Sequence, residues 1–380
     1  MRLLITGSQG FIGKNFIAQV RASALEASKD TPGHTLLEVY PFDKEDSLEL
    51  LESYCEKCDF VFHFAGVNRP KNEAEFREGN ADFSQTLLDT LAKTGRRIPV
   101  LLTSSIQATL ANPYGESKKA AEEVFFEYAR KTDAPVFVYR LPNVFGKWSR
   151  PNYNSAVATF CHNIARGLPI RVDDPEKEIT LVYIDDVVKQ FLSVLTEPPQ
   201  SLGEYYEISE TTTITLSALV ELLEQFRDSR QTFDVPRQQD SFSRKLYATY
   251  LSFLPQDSFS YLLNHHKDER GSFYEFMHLG SSGQMSVNTT QPGLTKGNHW
   301  HQTKNEKFLV VSGDALIRLR AIDSTGVVEY RVSGTEPCVV DIPPGYTHSI
   351  SNCGTGELIT VIWANEVYDP SSPDTYYEEV

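Results

Sequence analysis

The spacing of apolar residues changes once along this chain, near residue 268, and that change constrains the architecture more than any motif does. Up to about residue 150, short apolar runs such as Leu3–Thr6, Phe60–Phe64 and Val100–Thr103 alternate with stretches of helical periodicity. Such alternation predicts a parallel sheet wound with helices, because parallel neighbours need a crossover between them. Residues 150–240 carry further helical segments and short strands. Ile208–Ile214 reads as a strand and Thr215–Arg227 as an amphipathic helix. Beyond residue 268 the runs are short and alternating: Gln284–Val287, Phe308–Val311, Ala315–Ala321, Val327–Val332, Cys338–Asp341 and Leu358–Trp363. Glycines and prolines separate them, the pattern of an all-β sandwich or barrel. The expected fold class is therefore α/β plus all-β. The α/β domain should span residues 1–245, with a small lobe within about 150–240. An aromatic- and serine-rich connector follows at 246–267, and the β domain at 268–380.

Composition narrows the function classes. A chain of 380 residues accommodates two or three domains. Its net charge of −15 argues against nucleic acid, since phosphate neutralisation needs a basic face. No apolar run reaches membrane-spanning length, so no membrane partner is expected. The first residues run straight into Gly7 with no long apolar leader, which reads as a cytoplasmic protein. Five cysteines, an odd number, suit a reducing compartment. The pair Cys55 and Cys58 stands alone in a polar segment, and a structural reading outweighs a redox or metal one. His265 and His266 are adjacent, so on a strand they point to opposite faces.

A glycine-rich turn opens the first domain. The strand Leu3–Thr6 leads into Gly7-x-x-Gly10-x-x-Gly13, and an amphipathic helix runs from Phe11 to about Ala22. Glycines permit a tight turn and close backbone approach, and a helix N-terminus attracts a pyrophosphate. Lys14 does not make this a P-loop, because Asn15 is neither Ser nor Thr and no glycine lies five residues before Gly13. Further on, Tyr114 and Lys118 stand four residues apart, which places them on one helix face. Ser104 and Ser105 close the apolar run Val100–Thr103. An ammonium near a phenol lowers the phenol's pKa, and a serine hydroxyl can hold a substrate oxygen. Together they form a proton relay for carbonyl reduction or alcohol oxidation.

This half resembles the extended short-chain dehydrogenase/reductases, over roughly residues 1–245. Supporting stretches are Asp59–Gly66, Asn80, Arg140–Gly146 and Tyr183–Asp186. The resemblance implies a Rossmann domain with a small substrate lobe. It implies that Gly7, Gly10, Phe11, Ile12, Gly13 and Ala65 bind the coenzyme, and that Tyr114 is the acid/base. Lys118 also binds the nicotinamide ribose, and Ser105 is the third member, with Ser104 competing for that role.

The second domain carries potential metal ligands. His299 and His301 fall on one face of a strand, and Glu306 and His348 can complete an N/O shell. The residues Gly293, His299, His301, Glu306 and Gly313, then Pro343, Gly345, His348 and Asn352, fall at the spacings of the two cupin boxes. One departure is Pro337, where a glycine usually opens the second box. The domain thus resembles the cupin family and implies a β-barrel binding a metal through His299, His301, Glu306 and His348. Zinc, iron, manganese or nickel suit this set, in a Lewis-acid or a structural role.

The stretches Asp268–Glu275 and Lys296–His299 resemble the nucleotide-linked 4-keto-6-deoxysugar epimerases, themselves cupins. Those enzymes lack the metal and use a His/Tyr pair. Here His299 is a presumed ligand and Ile362–Trp363 occupies the tyrosine's approximate place, so that pair does not carry over. Lys307, or nearby Lys296, is the remaining candidate for a general acid or base. The two halves together resemble the bifunctional reductase–cupin enzymes of capsular polysaccharide synthesis, through Asn112–Lys118, Pro151–Asn154 and Asn298–His301. That resemblance implies C3 epimerisation of a UDP-4-keto-6-deoxy-N-acetylhexosamine in the cupin. NADPH-dependent C4 reduction to UDP-2-acetamido-2,6-dideoxy-L-talose follows, on the route to N-acetyl-L-fucosamine. It also implies Zn2+ and a homodimer formed through the cupin domain. A reductase with a cupin serving only dimerisation is the alternative. A nucleotide sensor without chemistry has no use for Ser105, Tyr114 and Lys118.

The coenzyme is read two ways. Asp43, after the run Thr35–Tyr40, leans to NAD, because an acid closing the second strand meets the adenosine ribose. The family resemblance leans to NADPH, which is the expectation.

Overall fold

The computed structural model describes the chain apart from residues 31–36, 71, 199–204, 237 and 239, and describes only the backbone of residues 24–30. Thr35 and Leu36 of the expected second strand lie outside the described residues. The chain divides into two compact units, Met1–Glu224 with Gln238–Pro255, and Gln225–Arg237 with Gln256–Val380.

The first unit is built on strands β1 (Arg2–Thr6), β2 (Glu38–Phe42), β3 (Phe60–His63), β4 (Val100–Ser105), β5 (Val136–Leu141) and β8 (Tyr205–Tyr206). They form one parallel sheet in the order β2-β1-β3-β4-β5-β8. Every residue of β3 and β4 is buried, as expected of strands covered on both faces. Alternation divides β1 between two cores. Leu3 and Ile5 pack with Phe16, Phe62 and Phe191, whereas Leu4 packs with Leu51, Leu87 and Phe125. Helices Phe11–Asp30 and Ile184–Ser193 cover the first face; Leu48–Lys57, Phe83–Lys93 and Pro113–Thr132 cover the second. Strand order reverses between β1 and β3, and the carboxyl ends of the strands at such a switch point open the crevice that α/β proteins use for ligands. A small sheet of β6 (Asn143–Phe145), β7 (Glu178–Tyr183) and β9 (Thr211–Thr215) forms the lobe. Its last strand starts three residues later than expected, and the helix after it runs Leu216–Thr232.

The expected connector is not one piece. Helix Ser241–Ser252 belongs to the first unit, burying Leu246 and Tyr250 and bonding Lys245 to Asp186 at 2.6 Å. Residues from Gln256 onward belong to the second unit.

The second unit holds β10 (His266–Asp268), β11 (Gly271–His278), β12 (Gln284–Thr290), β13 (Thr295–Trp300), β14 (Glu306–Ser312) and β15 (Asp314–Ala321). It continues with β16 (Val327–Ser333), β17 (Val339–Ile342), β18 (Tyr346–Asn352), β19 (Leu358–Ala364) and β20 (Tyr376–Tyr377). Two antiparallel sheets result, in the orders β10-β11-β12-β19-β14-β17 and β16-β15-β18-β13-β20. Phe308, Val310 and Ile362 of one sheet and Ile317, Leu319 and Ile350 of the other share one apolar core, so the sheets close face to face. Among the described residues no helix is long and apolar enough to cross a membrane.

Candidate functional site

The first site forms where β1 ends. Gly7 has φ +68°, and a Cβ on it would lie 2.6 Å from the Ala65 nitrogen. A Cβ on Gly13 would lie 2.3 Å from the Gly7 carbonyl. Only glycine lets the turn close this tightly against the chain after β3. Gly7, Gly13 and Ala65 thus form the back of the turn, while Gly10, Phe11 and Ile12 line a cleft of about 1000 Å3. The N-terminus of helix Phe11–Asp30 opens there, a natural seat for phosphate. The cradle fits a dinucleotide.

Across the cleft lie Ser105, Tyr114 and Lys118. Asn112 caps helix Pro113–Thr132, accepting from the Gly115 N–H at 2.8 Å, with Pro113 in the first turn. A Cβ on Gly115 would lie 2.3 Å from the Gln107 carbonyl, so the helix starts tight against the turn after β4. Tyr114 therefore stands beside Ser105, with Lys118 one turn further on. Burial raises the Tyr114 phenol above its usual range, and its bond with Ser105 draws it partly back. The expected lowering by Lys118 is not seen. The ammonium sits 6.0 Å from the Tyr114 ring centre and donates to the Thr103 carbonyl at 3.4 Å. Burial pulls Lys118 itself down to about 8, and Glu122 opposes that.

Glu122 also decides between the two serines. Its carboxylate accepts from Ser104 Oγ at 2.5 Å and from Arg140 at 2.9 and 2.7 Å. Ser104 is therefore committed to the interior, and Ser105 is the hydroxyl beside Tyr114. Arg140 lies 3.5 Å from the Tyr205 ring centre, its cation over the ring. Sequence reasoning missed Glu122, although Tyr114, Lys118 and Glu122 at successive four-residue steps mark one helix face. Asn80 sits in a π-helical turn and bonds to both Val67 backbone groups and to Ser117 Oγ. A Cβ on Gly66 would lie 3.0 Å from Lys118 Nζ and 2.9 Å from Asn80 Oδ1, so a side chain there would crowd the ammonium. Asp43 directly follows β2, and its carboxylate accepts from the Gln9 N–H of the glycine turn at 2.8 Å. Arg69, Trp148 and Tyr153 line the outer part of the cleft and were not anticipated as site residues.

The second site lies in the β unit. His299 on β13 pairs in register with His348 on β18; Glu306 opens β14, and His301 follows β13. A bulge between Gly297 and His299, with Asn298 at φ 58°, turns the strand there. One potential ligand atom from each of His299, His301, Glu306 and His348 lies within 4.8 Å of the others. His301 Nε2, His348 Nε2 and Glu306 Oε2 are buried without hydrogen-bond partners. His301 Nδ1–H donates to the Asp374 carbonyl at 2.6 Å, and His348 Nδ1–H points to the Tyr346 carbonyl at 3.4 Å, so both Nε2 lone pairs face the cluster. Orphaned inward acceptors of this kind fit a divalent cation. Burial pulls His299 down to about 4. Burial pushes Glu306 up; when no cation fills the cluster, protonated His301 and His348 rings outweigh it and hold the carboxyl well below its usual range.

The cluster borders a cavity of about 420 Å3, lined also by Arg270, Asn288 and Lys296. Lys307 is not among the lining residues. It neighbours inward-facing Glu306, and strand alternation sends it outward, half exposed and paired with Asp341. Lys296 lines the cavity, as does Lys267, and it donates to Asn288 Oδ1 at 2.8 Å, the Thr289 carbonyl at 2.9 Å and the Ser272 carbonyl at 3.3 Å.

Residues 3–209 match the NAD dependent epimerase/dehydratase family, and residues 266–376 match the polysaccharide biosynthesis C-terminal domain. The chain belongs to the NAD dependent epimerase/dehydratase family. As a member of it, the chain is an NAD(P)-dependent enzyme. It is 45% identical over 376 residues to UDP-2-acetamido-2,6-beta-L-arabino-hexul-4-ose reductase of Pseudomonas aeruginosa, covering 99% of this chain and 98% of that one. The crystal structure of capsular polysaccharide assembling protein CapF from Staphylococcus aureus superposes over the whole of both chains, with a TM-score of 0.92 and 44% identity. UDP-glucuronic acid 4-epimerase from Bacillus cereus, in complex with NAD, shares part of the fold, with a TM-score of 0.54 and 18% identity. That match covers 67% of this chain and 96% of that one.

Proposed function

We propose that this chain is a two-step nucleotide-sugar enzyme of surface polysaccharide synthesis. The β unit epimerises C3 of a UDP-4-keto-6-deoxy-N-acetylhexosamine. The family unit then reduces C4, giving UDP-2-acetamido-2,6-dideoxy-L-talose. The observation that carries this reading is the presence of two complete sites on one chain. One is Ser105, Tyr114 and Lys118 in the cleft of the glycine turn; the other is a four-ligand cluster bordering a barrel cavity.

In the cleft, a bound coenzyme supplies the hydride. Ser105 holds the ketone oxygen, and Tyr114 gives its proton to the oxygen that becomes the alcohol. Lys118 keeps a positive charge beside both. In the barrel, a hydrogen on the carbon next to a ketone is acidic because its loss leaves an enolate. A divalent cation at His299, His301, Glu306 and His348, read as zinc, supplies Lewis-acid stabilisation of negative charge on oxygen. Lys296, with all three donors satisfied, is a fixed ammonium facing the cavity. It suits charge pairing with an anion better than proton abstraction. Reduction of the ketone removes the acidity and locks the inverted carbon, so the second step draws the first.

The two indications of coenzyme differ. The family resemblance carries NADPH. Asp43 closing β2 supports NADH, because a carboxylate there binds the ribose hydroxyls and repels a 2′-phosphate. The reading is NADPH, with NADH as the alternative that Asp43 raises. A homodimer through the β unit is part of the proposal, supported by edge strand β16 with Val327, Val328 and Tyr330 exposed.

The test is proton NMR in D2O with the 4-keto sugar. Deuterium should enter at C3 without coenzyme, and reduction should follow when coenzyme is added. Tyr114→Phe should abolish reduction and spare exchange. Reduction of unexchanged substrate would leave a plain reductase, with the β unit serving assembly alone.

A further inference from the structure

Asp374 lies far from the four candidate ligands in sequence and carries none of the roles assigned above. It is a non-glycine residue at φ 38°, in the left-handed region. Its Oδ1 accepts from the Gln302 N–H at 2.9 Å, and its Oδ2 accepts from the Thr303 and Lys304 N–H groups, each at 2.9 Å. Thr303 Oγ1 adds a fourth bond at 3.1 Å. The carboxylate thus gathers the backbone donors of the turn that begins one residue after His301. The same residue's own carbonyl accepts from His301 Nδ1–H at 2.6 Å.

The flanking residues hold this arrangement. Buried Lys304 donates to the Pro373 carbonyl at 2.7 Å. Tyr376 and Tyr377 add to the edge of β13 opposite Trp300 and His299, and the Tyr376 ring lies 4.9 Å from that of Trp300. The Glu378 N–H donates to the Asn298 carbonyl at 3.0 Å, and Thr347 Oγ1 donates to the Glu378 carbonyl. One short segment therefore grips the β13 end that carries His299, the turn after His301, and the residue before His348.

The chemistry of the ring gives this a purpose. An imidazole that ligates through Nε2 must keep its proton on Nδ1, and the acceptor of that proton sets the tautomer and the plane of the ring. For His301 that acceptor is a carbonyl in a left-handed turn, a conformation an L residue keeps only when local bonds hold it. Here the carboxylate of the same residue holds it, through charge-assisted bonds to backbone donors next to the ligand itself. We infer that Asp374 is the positioning residue for His301, with its carboxylate fixing the turn that aims its carbonyl at Nδ1. The inference rests on the reading of His299, His301, Glu306 and His348 as a divalent-cation site.

The test uses the full-length chain, stripped with a chelator and titrated with Co2+, whose visible absorption bands report ligand geometry. Wild type, Asp374→Asn, Asp374→Ala and His301→Gln are compared for Co2+ affinity and band pattern. Wild type should bind one Co2+ per chain. Asp374→Ala should bind about 10–100-fold more weakly with altered bands, and His301→Gln should lose affinity as well. Asp374→Asn, which retains one oxygen acceptor, should fall between wild type and alanine. Should alanine unfold the β unit, the asparagine variant decides alone. Wild-type affinity and bands in the folded aspartate variants would overturn the positioning role while leaving the cation site intact. A wild type that takes up no Co2+ would overturn the cation site, and this inference with it.

Discussion

Glu122 touches neither the glycine turn nor the outer cleft, yet its replacement should be read out in the chemistry. It is 1% exposed and bonded to Ser104 and, through two bonds, to Arg140. Breaking a buried ion pair by removing one partner costs about 3–5 kcal/mol. Two features reduce that here. Glutamine retains one oxygen acceptor, and the Arg140 side chain is 19% exposed and stacked on Tyr205. Glu122→Gln should therefore lose about 2–3 kcal/mol in denaturant unfolding. The kinetic effect has a definite sign. Lys118 stands at about 8, with burial lowering it and Glu122 raising it. Without the carboxylate the ammonium is harder to keep, so Lys118 should lose its proton at lower pH. Reduction needs that charge, and kcat/KM reports the free enzyme. Its alkaline limb, near 8 in wild type, should move to lower pH in the variant, with most of the rate retained on the acid side. An unmoved limb together with an unfolding loss under about 1 kcal/mol would show that Glu122 neither supports the charge nor bears the network.

Lys118→Met should separate stability from function. Because the folded-state pKa is depressed, the burial penalty is fully present below about 8 and is relieved as pH rises toward the unfolded value. The variant should gain about 2 kcal/mol near neutral pH, shrinking at alkaline pH, while reduction is lost; a destabilised variant would contradict the burial argument. Asp43→Asn should shift the ratio of kcat/KM for NADH over NADPH toward NADPH by about 10–100-fold, roughly 1.4–2.8 kcal/mol. An unchanged ratio in the variant would remove Asp43 from coenzyme selection.

The period of the apolar residues announced the two kinds of sheet because burial imposes it. A strand covered on both faces, such as Phe60–His63, runs apolar through Phe60, Val61 and Phe62, and one covered on a single face, such as Asp314–Ala321, buries Ile317 and Leu319 and turns Arg318 outward. The local motifs were legible for a similar reason: Tyr114 meets Lys118 through spacing along one helix, and His299 meets His301 through spacing at the end of one strand. What spacing cannot show is which way a residue turns when its neighbour is already placed. Lys307 follows inward-facing Glu306, so the pleat sends it to solvent, whereas Lys296 enters the cavity. Partners distant in sequence were equally hidden. Arg140 reaches Glu122 across two elements, and Asp374 reaches His301 from 73 residues away. The lowered phenol expected from the Tyr114–Lys118 spacing gave way to burial, which no spacing reports.

The two units are interleaved along the chain. Their boundaries fall after Glu224, after Arg237 and after Pro255, so the backbone passes from one to the other three times. A stop at residue 245 would divide helix Ser241–Ser252, removing buried Leu246 and Tyr250 from the family unit. It would also strand Val235, whose N–H donates to the His278 carbonyl. No single scission yields two whole fragments. Recombination could exchange either half with a foreign partner only by cutting at all three joints together, which makes the reductase and the barrel one heritable block.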